Sequence, residues 1–390
     1  MNNIVTKLSE PAVKVAYISP YIPRECGIAT YTKQLTNAVN ILNPDHLAQI
    51  IAIDDSRGQV QFPDEVRYRV DDNDAASFRE AANYINRSKI DLVHLQHEFG
   101  LYGGADGAYI LEMTNRLKKP LLITFHTVLS LPTPNILNIV KVLADKASAI
   151  TVLAEAAKKI LIEVYAIDPD KIYKIPHGVP DFPYVSSVPY KNNLGYGDRK
   201  IISTFGLISP NKGIEYMIDA MAQIVNEYPK ALFLIIGKTH PNIINRFGEK
   251  YRESLQALVD NHQLSENVLF INKYLSSEEI IYYLQATDIY VTPYLEPQQM
   301  SSGTLSYAVG AGKVCLSTPY AYAREILAGR RGYLIPFKNS KTLANRLIVL
   351  LKNDELREQL SKKSYLYGRK MVWEYVGHKH LDLFQGIKNQ

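Results

Sequence analysis

The segment "DIYVTPYLEPQQMSSGTLSYAVGAGKVCLS", residues 288–317, contains the pattern that decides the fold. A short apolar run, a polar loop, a helix-length stretch and a second apolar run follow one another, which is typical of parallel α/β structure. Small polar residues, Ser301 to Thr304, open the helix, and the N–H groups of a first helical turn suit a phosphate. No residue in the segment is an obvious base or nucleophile. The segment therefore predicts a phosphate site at a strand end, late in a chain of 390 residues.

The same alternation of short apolar runs and helix-length amphipathic segments continues along the whole chain. Several runs are apolar at successive positions, as are strands that are covered on both faces. Strands are expected at 13–19, 48–54, 91–96, 120–126, 148–153, 172–176, 200–206, 231–237, 267–272, 288–292, 313–317 and 332–335. Helices fit between them, for example at 29–42, 75–89, 107–118 and 153–164. The pattern predicts two Rossmann-like halves that bind ligand at the carboxyl ends of their strands.

The stretch at 180–200, "PDFPYVSSVPYKNNLGYGDRK", has a different character. It holds three prolines, Ser-Ser, Asn-Asn and two glycines, so we expect it to be irregular and to act as a linker. A chain of 390 residues is also longer than a domain with a single hydrophobic core usually is. We therefore expect one domain at 1–185 and another at 186–365, with a C-terminal helix at 365–390 that packs back on the first.

The composition is that of an ordinary soluble globular protein, with 46% hydrophobic and 21% charged residues. The two cysteines, Cys26 and Cys315, fit no metal-ligand spacing and favour a reducing compartment. No apolar run approaches the ~20 residues that a membrane span needs, and the N-terminal sequence lacks the layout of a signal peptide. These features predict a cytoplasmic protein, and they leave peripheral attachment to a membrane open.

The charge is unevenly distributed, with a net charge of −2 over residues 1–190 and of +7 over residues 191–390. A basic second half suits an anionic ligand, although solvated surface lysines explain the charge alone more simply. No basic run alternates with aromatic residues and no nucleic-acid-binding motif is present, so no nucleic-acid partner is expected. Nothing in the sequence indicates an oligomeric state.

Candidate site residues follow three strands of the first half. Gly27 opens the helix after the first strand, where it either lets backbone amides approach a ligand or simply turns the chain. No Gly-x-Gly-x-x-Gly is present there, so the dinucleotide fingerprint is absent. His97 and Glu98 follow the strand at 91–96, and His126 ends the next one. Their spacing fits no metal site. We favour the interpretation that they contact a ligand over the alternatives of surface polarity or packing, since they lie where this fold binds its ligands.

Two loops of the second half carry the other candidates. Gly206 ends the first strand of that half, and Lys212 stands at the start of the next helix. A cation opposes the dipole at a helix start, and an anionic ligand would resolve the mismatch; the alternative is an exposed lysine. The loop after the strand at 288–292 brings Glu296 and Gln299, whose carboxylate and amide groups suit sugar hydroxyls.

The order of these motifs resembles a family 4 glycosyltransferase of the GT-B type over nearly the whole chain. The family's glycine loop corresponds to "ECGIAT", its strand-end histidine to "TFHT" and its "NGV"-like turn to "PHGV". Its "GR…KG" segment corresponds to "FGLISPNKG", and its "E-x7-E…G-x-P-V" segment to "EPQQMSSGTLSYAVGAGKV". Each motif alone is weak, but their order and spacing are fairly specific. The resemblance implies a GT-B fold, in which the parallel sheets of two Rossmann-like domains face each other across a cleft.

The activity that this resemblance implies is transfer of a hexose, with retention, from a nucleoside diphosphate sugar to a saccharide or lipid-linked acceptor. The first domain would bind the acceptor and the second the donor. The family favours mannose from GDP-mannose over glucose from UDP-glucose, and a role in glycan or polysaccharide biosynthesis. No metal and no cofactor other than the nucleotide-sugar co-substrate would be needed.

The resemblance also implies roles for individual residues. Lys212 and the amides of the Ser302 to Thr304 turn would neutralise the diphosphate, and His126 would contact the donor sugar. The implied catalytic residues are His126, Glu296 and Lys212. The implied diphosphate and nucleotide site comprises Gly27, Gly206, Lys212, Gln299, Ser301, Ser302, Gly303 and Thr304. The implied acceptor or sugar contacts are Arg24, His97 and Glu98.

Two departures from the family pattern affect these roles. The family's "GR" arginine is replaced by Leu207, for which Arg24 is a candidate substitute. The acidic pair is also broken, because the eighth residue after Glu296 is Thr304. Anchoring the motif on Gly312 instead places Gln299 and Tyr307 at the two acidic positions. The family's second acidic residue usually meets the ribose, so altered nucleotide recognition is expected.

The departures motivate a rival of another class, a nucleotide-sugar-binding pseudoenzyme that serves as a partner subunit. A further alternative is another GT-B enzyme, such as a sugar epimerase or a phosphorylase.

Overall fold

A computed structural model describes residues 13–55 and 59–389 of the chain, which form two compact α/β units. The first unit comprises residues up to Gly178 together with Trp373–Gln390, and the second comprises Val179–Val372. The extreme N-terminus, considered above for a signal peptide, lies outside the described residues. No helix within the described part of the chain is both long and apolar enough to cross a membrane.

The first unit is built on a seven-stranded parallel sheet. Its strands are β1 (Val15–Ser19), β2 (Gln49–Asp54), β3 (Val66–Asp71), β4 (Leu92–His97), β5 (Leu121–Phe125), β6 (Ala149–Val152) and β7 (Ile172–Lys174). Their order in the sheet is β3-β2-β1-β4-β5-β6-β7. The helices are α1 (Gly27–Leu42), α2 (Ala75–Arg87), α3 (Ile110–Thr114), α4 (Pro134–Lys146), α5 (Glu155–Glu163) and the C-terminal helix Trp373–Lys388. This is the strand order of a doubly wound sheet, with helices in the crossovers.

The central strands of this sheet are covered on both faces, which favours apolar residues at successive positions. Every residue of β1, β4 and β5 is buried. Strand β3 was not expected from the sequence, because it lies at the sheet edge and alternates exposed arginines with half-buried residues. The helix expected at 107–118 is reduced to α3, and Gly107 just before it adopts a left-handed φ of 82°.

The second unit is built on a six-stranded parallel sheet with the order β10-β9-β8-β11-β12-β13. Its strands are β8 (Lys200–Phe205), β9 (Ala231–Ile236), β10 (Val268–Ile271), β11 (Ile289–Thr292), β12 (Val314–Ser317) and β13 (Gly332–Leu334). Its helices are α6 (Val188–Asn193), α7 (Ile214–Glu227), α8 (Pro241–Phe247), α9 (Lys250–Asn261), α10 (Ser277–Ala286), α11 (Gly303–Gly310), α12 (Ala321–Ile326), α13 (Ser340–Lys352) and α14 (Asp354–Gly368). The C-terminal helix of the first unit is therefore α15. The order of strands again reverses direction at one point, here between β8 and β11.

The expectation that residues 180–200 are entirely irregular is wrong, because α6 lies within them. Pro189 occupies the first turn of this helix, where the missing N–H costs no helical hydrogen bond. The Nζ of Lys191 on α6 lies 3.1 Å from a carboxylate oxygen of Asp288, and both side chains are almost fully buried. This ion pair holds the segment on the second unit.

Helix α15 packs on α1 within the first unit. The indole N–H of Trp373 donates to the side-chain oxygen of Gln34 at 3.1 Å. A Cβ on Gly377 would lie 3.2 Å from the Cβ of Ala38, so the glycine allows the two helices to approach closely. The last residues of the chain thus complete the core of the first unit.

Candidate active site

The topology predicts one binding edge in each unit. Neighbouring strands β1 and β4 lead into crossovers on opposite sides, as do β8 and β11, and ligands of doubly wound sheets bind at such switch points. Arg24, Gly27, His97 and Glu98 follow β1 and β4 in the first unit. In the second unit, the loops after β8 and β11 carry the residues expected to hold the donor.

The loops that follow β8 and β9 are hydrogen-bonded to each other. Gly206 and Gly237 have φ values of 128° and 139°, and a Cβ on Gly237 would lie only 2.0 Å from the backbone oxygen of Gly206. The amide of Ile208 donates to Lys238 O, and the amide of His240 donates to Ile208 O, both at 2.8 Å. We call residues 206–212 and 237–240 the paired loops. Their mutual hydrogen bonds fix the backbone at this binding edge.

Lys212 ends the first of the paired loops and lies over an aromatic ring. Its Nζ is 3.9 Å from the centroid of the Tyr294 ring. The next residue, Gly213, has a φ of 62°, and a Cβ there would lie 2.2 Å from the backbone oxygen of Pro293. Glycine at this position therefore lets the loop after β8 lie against the loop after β11. Within the described part of the chain, Lys212 forms no ion pair, so its charge is available to an anion.

Helix α11 begins beside Tyr294. Ser302 is its N-cap, and the Ser302 hydroxyl accepts a hydrogen bond from Leu305 N at 3.3 Å. The hydroxyl of Thr304, in the first turn, lies 3.1 Å from that of Tyr294. Amides of a first helical turn have no acceptor within their own helix. This end of α11 can therefore bind an anion next to Lys212.

Gly206 completes this group of residues. A Cβ on Gly206 would lie 3.4 Å from the Thr304 methyl group, and a small cavity is lined by Gly206, Leu207, Lys212 and Tyr294. The structure thus brings together, within the second unit, Gly206, Lys212 and the start of α11, as the sequence predicted for a diphosphate site.

Glu296 and Gln299 lie in the loop that precedes α11. Glu296 is exposed, and its carboxylate accepts a hydrogen bond from Gln298 N at 3.0 Å. Gln299 is half-buried, and its amide nitrogen donates to Ser301 O at 2.8 Å while its backbone oxygen accepts from Tyr322 N. Glu296 therefore keeps acceptor capacity for sugar hydroxyls, whereas Gln299 is engaged in holding the loop.

The two alignments of the broken acidic motif differ in where they place the second position. Thr304 lies at the start of α11 beside Tyr294. Tyr307 is 6% exposed, and its ring packs near those of Phe182 and Phe205, with centroids 6.4 and 6.5 Å apart. Of the two residues, Thr304 is therefore the one that faces the predicted diphosphate site.

His126 directly follows β5 in the first unit and belongs to a buried polar network. Its Nε2 lies 2.9 Å from the side-chain oxygen of Gln96, whose amide nitrogen lies 2.9 Å from His94 Nε2. Since the Gln96 oxygen can only accept, His126 Nε2 carries the proton and its Nδ1 has a free lone pair. Burial lowers the pKa of His126 to about 3, so the ring is neutral at physiological pH. It can accept a hydrogen bond from a substrate but cannot supply a positive charge.

His97 is fully buried at the end of β4. Its ring lies among those of Phe99, Tyr102 and Phe125, with centroid separations of 5.0, 5.9 and 5.1 Å. Neither ring nitrogen has a hydrogen-bond partner among the described residues, and burial lowers the pKa of His97 to about 3. Contact of this ring with an acceptor would require it to leave its packing.

Arg24 and Gly27 lie on the loop after β1 and at the start of α1. The Arg24 guanidinium is 2.9 Å from the carboxylate of Asp55. Gly27 is exposed, and a Cβ on it would meet nothing within 4 Å, so the space beside this helix start is open. Both residues belong to the first unit, whereas the cluster around Lys212 belongs to the second.

Glu98 is held by two hydrogen bonds just after β4. Its carboxylate oxygens accept from the Thr127 hydroxyl at 2.8 Å and from Phe99 N at 2.9 Å. Burial raises the pKa of Glu98 to about 7, because desolvation outweighs these two donors. The group therefore titrates near physiological pH.

Replacing Glu98 by glutamine should change how stability depends on pH. Because the folded protein binds this proton more tightly than the unfolded chain, the contribution is present below the ordinary glutamate pKa and is lost as the pH rises through about 7. Relative to Glu98→Gln, the wild-type protein should lose about 1–2 kcal/mol of stability between about pH 5 and pH 8. The measurement is the melting temperature of both proteins across this range. Glu163→Gln, at an exposed position on α5, is the matched control, and identical pH profiles for all three proteins would contradict the expectation.

Sequence reasoning missed Gln96 and Tyr294. Gln96 orients His126, and the signal for it was a polar amide inside a strand that is buried along its whole length, since a buried amide needs partners. Tyr294 supports both Lys212 and Thr304, but it follows β11 in a loop that a single sequence does not distinguish from others. No group of three or more His, Cys, Asp or Glu side chains in the described ranges is arranged to hold a metal ion.

Two family models match the chain. The model described as Glycosyltransferase Family 4 matches residues 50–181, and the one described as Glycosyl transferases group 1 matches residues 190–367. Together they span most of the chain and both units. The chain therefore belongs to the family 4 glycosyltransferases, and it is a glycosyltransferase of the GT-B type.

The chain is also similar to several relatives in sequence and to several solved structures in fold. The phosphatidyl-myo-inositol mannosyltransferase of Mycobacterium tuberculosis (strain ATCC 25618 / H37Rv) is 22% identical over 80% of this chain and 78% of its own. Spore coat protein SA of Bacillus subtilis (strain 168) is 26% identical over 50% of this chain and 51% of its own. Anabaena Alr3699/HepE, solved in complex with UDP and glucose, has a TM-score of 0.76 at 15% identity, covering 96% of this chain and 100% of its own. Sucrose-phosphate synthase from Thermosynechococcus elongatus has a TM-score of 0.78 at 17% identity, covering 96% and 99%.

Proposed function

We propose that this protein is a retaining glycosyltransferase that moves a hexose from a nucleoside diphosphate sugar to a saccharide or lipid-linked acceptor. The observation that carries the proposal is the cluster in the second unit, where Lys212, without an ion pair among the described residues, lies beside the open amides of α11. Such a site binds a diphosphate. The proposal extends to glycan or polysaccharide biosynthesis.

The same cluster explains how the reaction would be accelerated. As the glycosidic bond to the phosphate breaks, the leaving diphosphate gains negative charge. Donors that are already oriented towards that charge stabilise the transition state more than the ground state. Lys212 and the N–H groups of Gly303 and Thr304 supply such donors, so we propose that no divalent metal is required. In the first unit, the Nδ1 lone pair of His126 can accept a hydrogen bond from a sugar hydroxyl, and the exposed Glu296 of the second unit can do the same.

For the donor we propose GDP-mannose first and UDP-glucose second. The mannosyltransferase names of the mycobacterial relatives support mannose, whereas Alr3699/HepE was solved with UDP-glucose. We propose the cytoplasm as the location, in keeping with two cysteines that form no disulfide.

Thermal melting with GDP, UDP, GDP-mannose and UDP-glucose in turn tests the donor site. A ligand that binds the native state raises the melting temperature by mass action, with about 2.7 kcal/mol of stabilisation at a hundredfold excess over Kd. We expect a clear shift with nucleotides of one base and a smaller one with those of the other. A cooperative melt that no nucleotide shifts would overturn the donor-site assignment.

The replaced acidic motif keeps a second candidate open, a nucleotide-sugar-binding partner subunit without turnover. Its supporting observation is that Thr304 and not a carboxylate stands at the start of α11, while Tyr307 is packed inside. A donor labelled in the sugar, incubated with a panel of acceptors, separates the two candidates. A labelled glycoside supports the transferase, and an unchanged donor with every acceptor supports the partner subunit. An epimerised sugar or a sugar phosphate would identify another GT-B chemistry.

A further inference from the structure

The diphosphate of a nucleotide sugar carries two negative charges, and the cluster around Lys212 supplies one full positive charge. The position five residues before Lys212 is Leu207, whose apolar side chain lines the small cavity beside Tyr294. A second cation or a strong hydrogen-bond donor would therefore be needed to match the second charge. Besides Lys212, the paired loops contain two side chains that can provide it, Lys238 and His240, and Lys238 is already engaged in a contact within the protein.

His240 ends the second of the paired loops and is half-buried. Its amide donates to Ile208 O at 2.8 Å, and its neighbour Thr239 forms a parallel bridge with Ile208. The backbone of His240 is therefore hydrogen-bonded to the loop that ends at Lys212. Burial lowers the pKa of His240, and the positive charge of Lys212 lowers it further.

The tautomer of His240 is determined by its own helix. Its Nδ1 accepts a hydrogen bond from Asn242 N at 3.1 Å as the N-cap of α8. The neutral ring must therefore carry its proton on Nε2, and the ring presents an N–H donor that is not used in capping. Protonation at Nδ1 would break this N-cap hydrogen bond, which favours the neutral ring when no anion is bound.

We propose that His240 is a second diphosphate-binding residue of the donor site. It acts together with Lys212, supplies the second donor that Leu207 cannot supply, and gains positive charge when the diphosphate binds. This inference rests on the proposed function of that site. In the free protein, burial and the Lys212 charge keep the ring neutral. A bound diphosphate would offset the effect of the Lys212 charge, because it places negative charge next to both Lys212 and His240.

The carboxylate and the guanidinium that pack against the paired loops are engaged with each other and with the loop. On the α9 side, the carboxylate of Glu249 accepts from the Thr239 hydroxyl and lies 3.5 Å from Arg252 Nε. Arg252 in turn donates to Gly237 O at 2.6 Å. These two groups neutralise each other while holding the loop, and the remaining charges are the cations Lys212 and Lys238.

Calorimetric titration with an intact nucleotide sugar at several pH values tests the proposal. The ligand is whichever of GDP-mannose and UDP-glucose shifts the melting temperature. An intact nucleotide sugar is used because its diphosphate, esterified at both ends, does not titrate in this pH range. For the wild-type protein we expect affinity to fall roughly tenfold between about pH 6 and about pH 8.5, with proton uptake that appears as a buffer-dependent enthalpy. His240→Asn keeps an N-cap residue but cannot be charged. It should bind about five- to tenfold more weakly near pH 6 and show neither the pH dependence nor the proton uptake.

Each result has a defined meaning. His262→Asn removes a partly exposed histidine at the C-terminal end of α9 and should behave as wild type. A His240→Asn protein that melts normally and retains the affinity, the pH dependence and the proton uptake overturns the role of His240 but leaves the donor site intact. If the wild-type protein binds neither nucleotide sugar, the proposed function itself fails, and the inference fails with it.

Discussion

Replacing Lys212 by methionine should lower kcat/KM for sugar transfer by about 10²- to 10³-fold, the size of effect seen when one preorganised transition-state donor is removed. The reason is geometric. The Nζ of Lys212 lies 3.9 Å from the centroid of the Tyr294 ring and forms no ion pair with the described residues, so its charge is available to an anion. Methionine keeps most of the apolar stem over the ring, and the substitution therefore removes mainly the charge.

The measurement is initial-rate kinetics with the donor identified by melting, supported by the melting temperature of the variant alone. Lys341→Met, at an exposed position on α13, is the matched control and should leave kcat/KM unchanged. Lys212→Arg should recover part of the activity, since the charge is kept but its geometry differs. Full activity in a well-folded Lys212→Met protein would contradict the proposed diphosphate site.

Much of the fold could be predicted because buried parallel strands are continuous apolar runs. The twelve strands expected from such runs are all present, with ends that differ by at most two residues. The exception is β3, whose "VRYRVD" alternates exposed arginines with apolar residues because only one face and one edge of the strand are covered. Helix α6 was not predicted for another reason. It is only six residues long, and the prolines around it indicate irregular structure.

The candidate site was predictable where its residues follow strands and form local motifs. Gly206, Lys212 and the residues around Ser302 are all found at the β8–β11 switch point. His240 was not predictable, because its relation to Lys212 depends on a pairing between the loops after β8 and β9 that no local pattern reveals. Burial was equally hidden. His97 and His126 look alike at strand ends, yet one is enclosed by aromatic rings and the other is hydrogen-bonded to Gln96.

Replacing Gly368 by alanine should destabilise the second unit by about 1–3 kcal/mol or more, because overpacked contacts between backbones cannot relax by changing a rotamer. Gly368 ends α14 where this helix crosses α11. A Cβ there would lie 2.6 Å from the Cα of Gly310 and 3.1 Å from Val309 O. The two helices would have to separate, and α11 carries the predicted diphosphate site at its start. Both the melting temperature and the nucleotide-induced shift should therefore fall.

The control for this substitution is Gly386→Ala on α15, where a Cβ would meet nothing within 4 Å. Alanine is the better helix former, so this variant should be unchanged or more stable by about 0.5–1 kcal/mol. The pair separates crowding from helix propensity, because both glycines lie in helices and only one lies at a close helix crossing. If Gly368→Ala were as stable as Gly386→Ala, the α11–α14 contact would not be as close as 2.6 Å implies. If Gly368→Ala were destabilised but bound nucleotide as tightly as wild type, the start of α11 would be independent of this crossing, and the anion site would depend on the paired loops alone.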